Sequence, residues 1–166
     1  MAWVIEPFER RHDRSAFDCG QPSLNDFIQR YATQYERRRV GRTYMLVESG
    51  QTRVAGYYTL AAGELRLDDL TDEDAKKLPR HPVPIVVLAR LAVDRSFQGQ
   101  KLGALLLRDA LTRSVAAGTI IGAYAVFVDA IDEPAVRFYS KYGFVPLKSR
   151  ADKLYLRLET VAAATG

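Results

Sequence analysis

The chain has 166 residues, 48% of them hydrophobic and 27% charged, with a formal net charge of +4, the profile of one soluble globular domain. One cysteine, Cys19, excludes an internal disulfide and a cysteine metal cluster, and two histidines, His12 and His81, argue against a zinc site, so no metal is expected. No apolar run approaches the roughly 18 residues of a membrane span, and the N-terminal MAWVIEPFERR is too polar for a signal peptide, so a cytoplasmic protein with no membrane partner is expected.

Trp3 to Phe8 reads as a first strand, and the charged Arg10 to Arg14 as a loop. In FDCGQPSLNDFIQRYATQY, Ser23 is a candidate N-cap, with Asp26 at the capping-box distance. Leu24, Phe27, Ile28, Tyr31 and Tyr35 then recur at helical spacing. This predicts one amphipathic helix, ending in Arg37, Arg38 and Arg39, with Arg42 beyond it. Those arginines either complement the helix dipole as solvated cations or form a basic edge for phosphates. Thr43 to Glu48 and Val54 to Leu67 read as an antiparallel strand pair, with a bulge or bend at Gly63.

The acidic Asp68 to Asp74 reads as a connector, with Thr71 capping a short helix. Pro84 to Val93 is the strongest strand: Ile85, Val86, Val87 and Leu88 suit a central position covered on both faces. After the polar turn Asp94 to Lys101, a helix is expected from Leu102 to Ala117, ended by Gly118. Ala123 to Val128 reads as a further central strand. Asp132 caps the helix AVRFYSKY, with Pro134 in its first turn and Gly143 at its end. Val145 to Leu147 and Leu154 to Leu158 close the sheet, and residues 160–166 form a flexible tail. The order of elements predicts a mixed α/β sheet with helices on both faces, in a single domain over residues 1–166.

The turn QGQKLG joins a buried strand to a helix start. The first helical N–H groups lack intrahelical partners and the dipole is positive there, which makes an anion site. Gly99 and Gly103 allow a phosphate close to the backbone. Neither the Walker pattern nor G-x-G-x-x-G is present, so the turn alone fits an anion site or a plain strand-to-helix connection equally well.

Leu91 to Ala104, with Phe138 to Phe144, resembles the GNAT acetyltransferase superfamily. Its signature is Q/R-x-x-G-x-G/A; Gln98, Gly103 and Ala104 fit, while Lys101 stands where the family has glycine. A right-handed backbone is expected at Lys101, with its charge assisting a phosphate. The blocks FDCGQPSLNDFI, GRTYMLVE, VAGYYTLAAGEL, PIVVLARLAVDRSFQGQKLGALLLRDAL and AVRFYSKYGF occur in the same order in acetyltransferase toxins of bacterial toxin–antitoxin pairs.

The resemblance implies the GNAT fold, a central mixed, mostly antiparallel sheet flanked by helices. It implies acetyl-CoA as co-substrate, held by Leu91, Ala92 and Val93 along the pantetheine, by Gln98, Gly99, Gln100, Lys101, Leu102, Gly103 and Ala104 at the pyrophosphate, and by Phe138. It implies Tyr139 as the catalytic general acid; Tyr142, three residues on, reads as packing. Further implied are aminoacyl-tRNA as substrate, a ribbon-helix-helix antitoxin, operator DNA bound only through the antitoxin complex, and a homodimer. An α-amino group has a pKa of roughly 7.7–8, and an adjacent ester lowers it. Such an amine needs no strong base, and the run Pro84 to Val93 contains no carboxylate. Its polar residue, Arg90, joins Arg37, Arg38, Arg39 and Arg42 as an RNA candidate. The alternatives are acetylation of a small amine or a protein N-terminus, or a non-enzymatic co-repressor module.

Overall fold

Along Arg42–Glu48, Thr43, Met45, Leu46 and Val47 are buried while Arg42 is exposed, as suits a strand lying between two antiparallel partners. The structure is a computed structural model describing residues 2–165; Gly166, at the end of the expected tail, lies outside the described residues. The elements are β1 (Trp3–Pro7), α1 (Pro22–Asp26), a π-helical turn (Phe27–Tyr31), α2 (Ala32–Arg38), β2 (Arg42–Glu48), β3 (Gly56–Leu65), α3 (Asp72–Ala75), β4 (Val83–Val93), α4 (Leu102–Ile121), β5 (Ala125–Asp129), α5 (Glu133–Lys141), β6 (Val145–Leu147), β7 (Arg150–Arg157) and α6 (Leu158–Thr165). The seven strands lie in the order β1-β2-β3-β4-β5-β7-β6. Among the described pairings only β4–β5 is parallel. The chain divides into two units, Met1–Ala61 with Leu88–Ala110, and Ala62–Val87 with Leu111–Gly166.

In the first unit, β2 and β3 pair with Thr43 opposite Thr59, and the two buried hydroxyls bond each other at 2.9 Å. Phe27, Ile28 and Ala32 pack on Phe17, Met45, Val54, Tyr57 and Ala92. Complete burial of a side chain such as Ile28 contributes about 1.5–3 kcal/mol. Helix α1 starts two residues earlier than a Ser23 N-cap predicts. Gln21 is the N-cap, with no side-chain cap bond, and Pro22 fills the first position, where a missing N–H costs nothing. Ser23 therefore lies inside the first turn. The helix then widens, the Ala32 N–H reaching back to the Phe27 carbonyl. Side chains reach carbonyls of α1 and of the widened turn: Tyr57 Oη donates to Leu24 O at 2.7 Å, and Arg14 Nη1 to Ile28 O at 2.8 Å.

In the second unit, β7 pairs antiparallel with both β5 and β6. Leu65, Leu70, Val83, Ile85, Ala125, Leu147 and Tyr155 form its core. A β-carbon at Gly63 would lie 2.7 Å from Val87 Cγ2, so glycine there serves close strand approach. Gly118 does not end α4. Its bare Cα makes room for Leu158, whose Cδ1 lies 3.2 Å from where a β-carbon would be, while Gly122, at φ +81°, follows the true end at Ile121. Thr71 caps α3, accepting from the Asp74 N–H at 3.2 Å, and Asp132 caps α5, accepting from Ala135 at 2.9 Å. Residues 160–165 of the expected flexible tail belong to α6 (Leu158–Thr165), with Val161 buried. Apolar residues at helical spacing supply that helix with an inward face.

Candidate active site

The turn after β4 is built on a buried carboxylate. Asp94 is 2% exposed; its N–H donates to Ala55 O at 2.8 Å, and its two oxygens accept from Ser96 N at 2.8 Å and from Asp18 N at 2.9 Å. Asp94 was not among the sequence candidates. Its signal was an acidic residue at a strand end, able to accept a backbone N–H two positions on. Gln98 then turns its amide inward, donating to Val93 O at 3.0 Å and Cys19 O at 3.3 Å. That side chain braces the turn and leaves anion contacts to the backbone.

Two left-handed residues follow, Gly99 at φ +85° and Lys101 at φ +61°. The right-handed backbone expected at Lys101 is thus corrected. The chain reverses into α4 through a left-handed position, which explains why glycine is the family residue there and lysine pays strain. A β-carbon on Gly99 would meet nothing within 4 Å, so its surface is open. The carbonyl of Lys101 accepts the Leu105 N–H at 3.3 Å as α4 begins, so the N–H groups of Leu102, Gly103 and Ala104 precede the first helical bond. Buried Leu102 anchors the helix start, while Gln100 and Lys101 are exposed. Backbone donors, a positive dipole end and an exposed ammonium together fit a pyrophosphate.

Strand β4 continues beyond its partner. The parallel ladder with β5 covers Ile85–Val87 against Ala125–Phe127, whereas β4 extends to Val93. Leu91, Ala92 and Val93 lie in this stretch outside the β5 ladder.

Arg90 is seated on aromatic rings. Its guanidinium carbon lies 3.7 Å from the Phe27 ring centre and 5.2 Å from that of Tyr35. Arg42 pairs with Glu36 at 3.4 Å, and Glu36 also accepts the Thr43 N–H, so Arg42 is tied to the helix end. Arg37, Arg38 and Arg39 are exposed at that end, Arg39 closing α2 at φ +59°. These RNA candidates therefore divide into one stacked, one paired and three exposed side chains.

In the second unit, Tyr139 lies on α5, its ring packed edge-on against Phe138 at 5.1 Å and Phe144 at 5.3 Å. Gly143, at φ +95°, turns the chain so that Phe144 folds back and donates its N–H to Tyr139 O at 3.3 Å. The tyrosine is 9% exposed, and burial pushes its hydroxyl well above the usual range, so it stays protonated at neutral pH. Among the described residues its hydroxyl has no hydrogen-bond partner. Tyr142 is 38% exposed, with its ring 5.3 Å from Phe138, a packing role. Cys19 is half-buried, and burial raises its thiol pKa, the opposite of an activated nucleophile. The ring of His12 is buried, its Nδ1 accepting from Glu9 N at 2.9 Å and its Nε2 donating to Glu6 at 2.8 Å, a structural role.

Residues 16–158 match the acetyltransferase (GNAT) domain family. The chain is 38% identical over 146 residues to the tRNA-acetylating toxin of Mycobacterium tuberculosis, covering 88% of this chain and 85% of that protein. The structure of AtaT complexed with acetyl-methionyl-tRNAfMet superposes with a TM-score of 0.92 at 31% identity, covering 99% of this chain and 100% of that one. A mutant AtaT bound to the C-terminus of the antitoxin AtaR and acetyl-CoA superposes with a TM-score of 0.83 at 29% identity, covering 98% of each chain. With a mixed seven-stranded sheet, a β4 that outruns its parallel partner and a left-handed turn opening α4, the chain belongs to the GNAT acetyltransferase family.

Proposed function

We propose that the protein is a toxin that transfers the acetyl group of acetyl-CoA to the α-amino group of aminoacyl-tRNA and so blocks translation. The observation that carries this reading is the likeness, over 88% of the chain, to a tRNA-acetylating toxin. Acetyl-CoA supplies the acetyl group as a thioester. Leu91, Ala92 and Val93 offer backbone groups to its pantetheine, Gln98 to Ala104 cradle its pyrophosphate, and Phe138 is a further cofactor contact implied by the family resemblance. Tyr139 donates its proton to the departing thiolate. The amine is basic enough to attack and acidic enough to be partly neutral near pH 7, which agrees with a β4 that carries Arg90 and no carboxylate. Arg37, Arg38, Arg39, Arg42 and Arg90 are the candidate contacts to RNA.

The same proposal includes a single acetyltransferase domain over residues 1–166, a ribbon-helix-helix antitoxin, operator DNA bound through that complex, a homodimer and a cytoplasmic location. Among the described residues no helix is long and apolar enough to cross a membrane. The test is incubation of the purified protein with acetyl-CoA and a pool of charged tRNA, followed by mass spectrometry of the aminoacyl ends. N-acetylated aminoacyl groups are expected on a subset of tRNAs. A pool left wholly unmodified, with acetylation of polyamines or peptide N-termini instead, would overturn the substrate assignment.

A further inference from the structure

The loop between β1 and α1 holds cations that the acetyl-transfer site does not use. Arg10, Arg11 and Arg14 line one cavity of about 480 Å³, where Asp13 is the only lining carboxylate among the described residues. The cations differ in how far they are neutralised. Arg11 pairs with Glu9 at 2.9 Å and with Glu6, so its charge is met. Asp13 is committed to a local turn, accepting from Ser15 N at 3.1 Å and Ser15 Oγ at 2.7 Å. Arg10 is exposed and makes no ion pair among the described residues.

Arg14 is the informative member. It is half-buried, its Nη1 donates to Ile28 O at 2.8 Å, and its guanidinium carbon lies 4.9 Å from the Phe8 ring centre. Burial lowers its pKa, which marks a poorly hydrated cation. Among the described residues no carboxylate pairs with it. A guanidinium withdrawn from water gains from a well-placed anion. Here a carbonyl at the π turn and an aromatic face hold it in place, and its remaining N–H donors are left for another acceptor. With Arg11 discounted, two guanidiniums still oppose one carboxylate in a space roomy enough for a phosphate and its flanking sugars. Planar guanidinium forks suit phosphate oxygens.

We propose that this cavity binds a backbone phosphate of the tRNA that carries the substrate amino acid. The proposal rests on the reading of charged tRNA as substrate. It adds a contact on the β1–α1 loop, separate from the arginines of α2 and β4.

The test is tRNA binding by fluorescence anisotropy across a range of KCl, for wild type, Arg10→Gln, Arg14→Lys and the control Arg80→Gln. Arg80 is an exposed arginine of the second unit. Arg10→Gln should weaken binding roughly three- to tenfold near 0.1 M salt and lower the slope of log Kd against log salt by about 0.7–0.9, one phosphate's worth. Arg14→Lys keeps the charge but loses the fork, so affinity should fall while the slope stays. Arg80→Gln should leave the slope unchanged. The site is overturned if wild type binds tRNA and Arg10→Gln matches it in affinity and slope. It is also overturned if Arg80→Gln changes the slope equally, since the effect is then a diffuse field. Weakened acetyl-CoA binding in Arg10→Gln with tRNA binding intact would assign the cavity to the cofactor instead. A wild-type protein that binds no tRNA would be a distinct result, removing the RNA reading and this site with it.

Discussion

The Asp94 carboxylate accepts the backbone N–H of Asp18 at 2.9 Å, joining the turn ahead of α4 to the segment ahead of α1. The same turn is tied to that segment twice more, through Arg95 N to Asp18 O at 2.8 Å and Gln98 Nε2 to Cys19 O at 3.3 Å. Asp94→Ala strips two backbone donors of their acceptor. Each orphaned donor costs about 1–3 kcal/mol, and a chain of this size loses about 2–4 °C per kcal/mol. Differential scanning calorimetry should therefore show a fall of several degrees, with Asp94→Asn intermediate because one acceptor oxygen remains. A shift below one degree would mean that water replaces the carboxylate.

Lys101 is held at φ +61°. The left-handed region costs an ordinary residue about 1–2 kcal/mol, and glycine's extra chain entropy returns about 0.5–1 kcal/mol of that gain. Lys101→Gly should thus raise the melting temperature by a few degrees, and Lys101→Val should lower it. If the ammonium also faces the pyrophosphate, the glycine variant will show a raised KM for acetyl-CoA and a flatter salt dependence. Unchanged KM at low salt would leave the lysine without a role in binding.

Tyr139→Phe keeps the ring contacts to Phe138 and Phe144 and removes only the hydroxyl. The expected result is a loss of about 10²–10⁴ in kcat, with little change in melting temperature or acetyl-CoA affinity. A variant retaining most of its kcat would transfer the proton-donor role elsewhere.

Burial raises the hydroxyl pKa of Tyr139 and Tyr57 above the ordinary value of 10.0, and Tyr124 is pushed up to about 12. The unfolded chain then releases these protons near their ordinary value while the folded chain keeps them. Stability is consequently complete below about pH 10 and falls above it, by up to about 1.4 kcal/mol per pH unit for each fully buried tyrosine. Denaturant midpoints measured from pH 8 to 11 should be flat at first and then decline, less steeply for Tyr139→Phe. Equal slopes in the two proteins would mean that Tyr139 keeps its ordinary pKa.

The local features legible in the chain were those set by neighbouring residues. Ile85 to Leu88 announced a central strand, Asp132 and Pro134 opened α5, and Gly143 closed it. The turn from β4 into α4 was recognisable from its glycines and its following helix. The tertiary structure alone decided which glycine served which purpose. Gly118, which reads as a helix end in sequence, gives room to Leu158, a partner from far along the chain, while Gly122 turns the chain. It likewise decided that Lys101 occupies a left-handed position, that Gln98 braces the turn from within, that Arg90 stacks on Phe27, and that Asp94 bonds a residue 76 positions away. Sequence by itself determined most strands, the helix α5 and the family resemblance, because propensity and short motifs act over a few residues. Burial, strain and pairing depend on residues brought together by the fold, and only the tertiary structure could assign them.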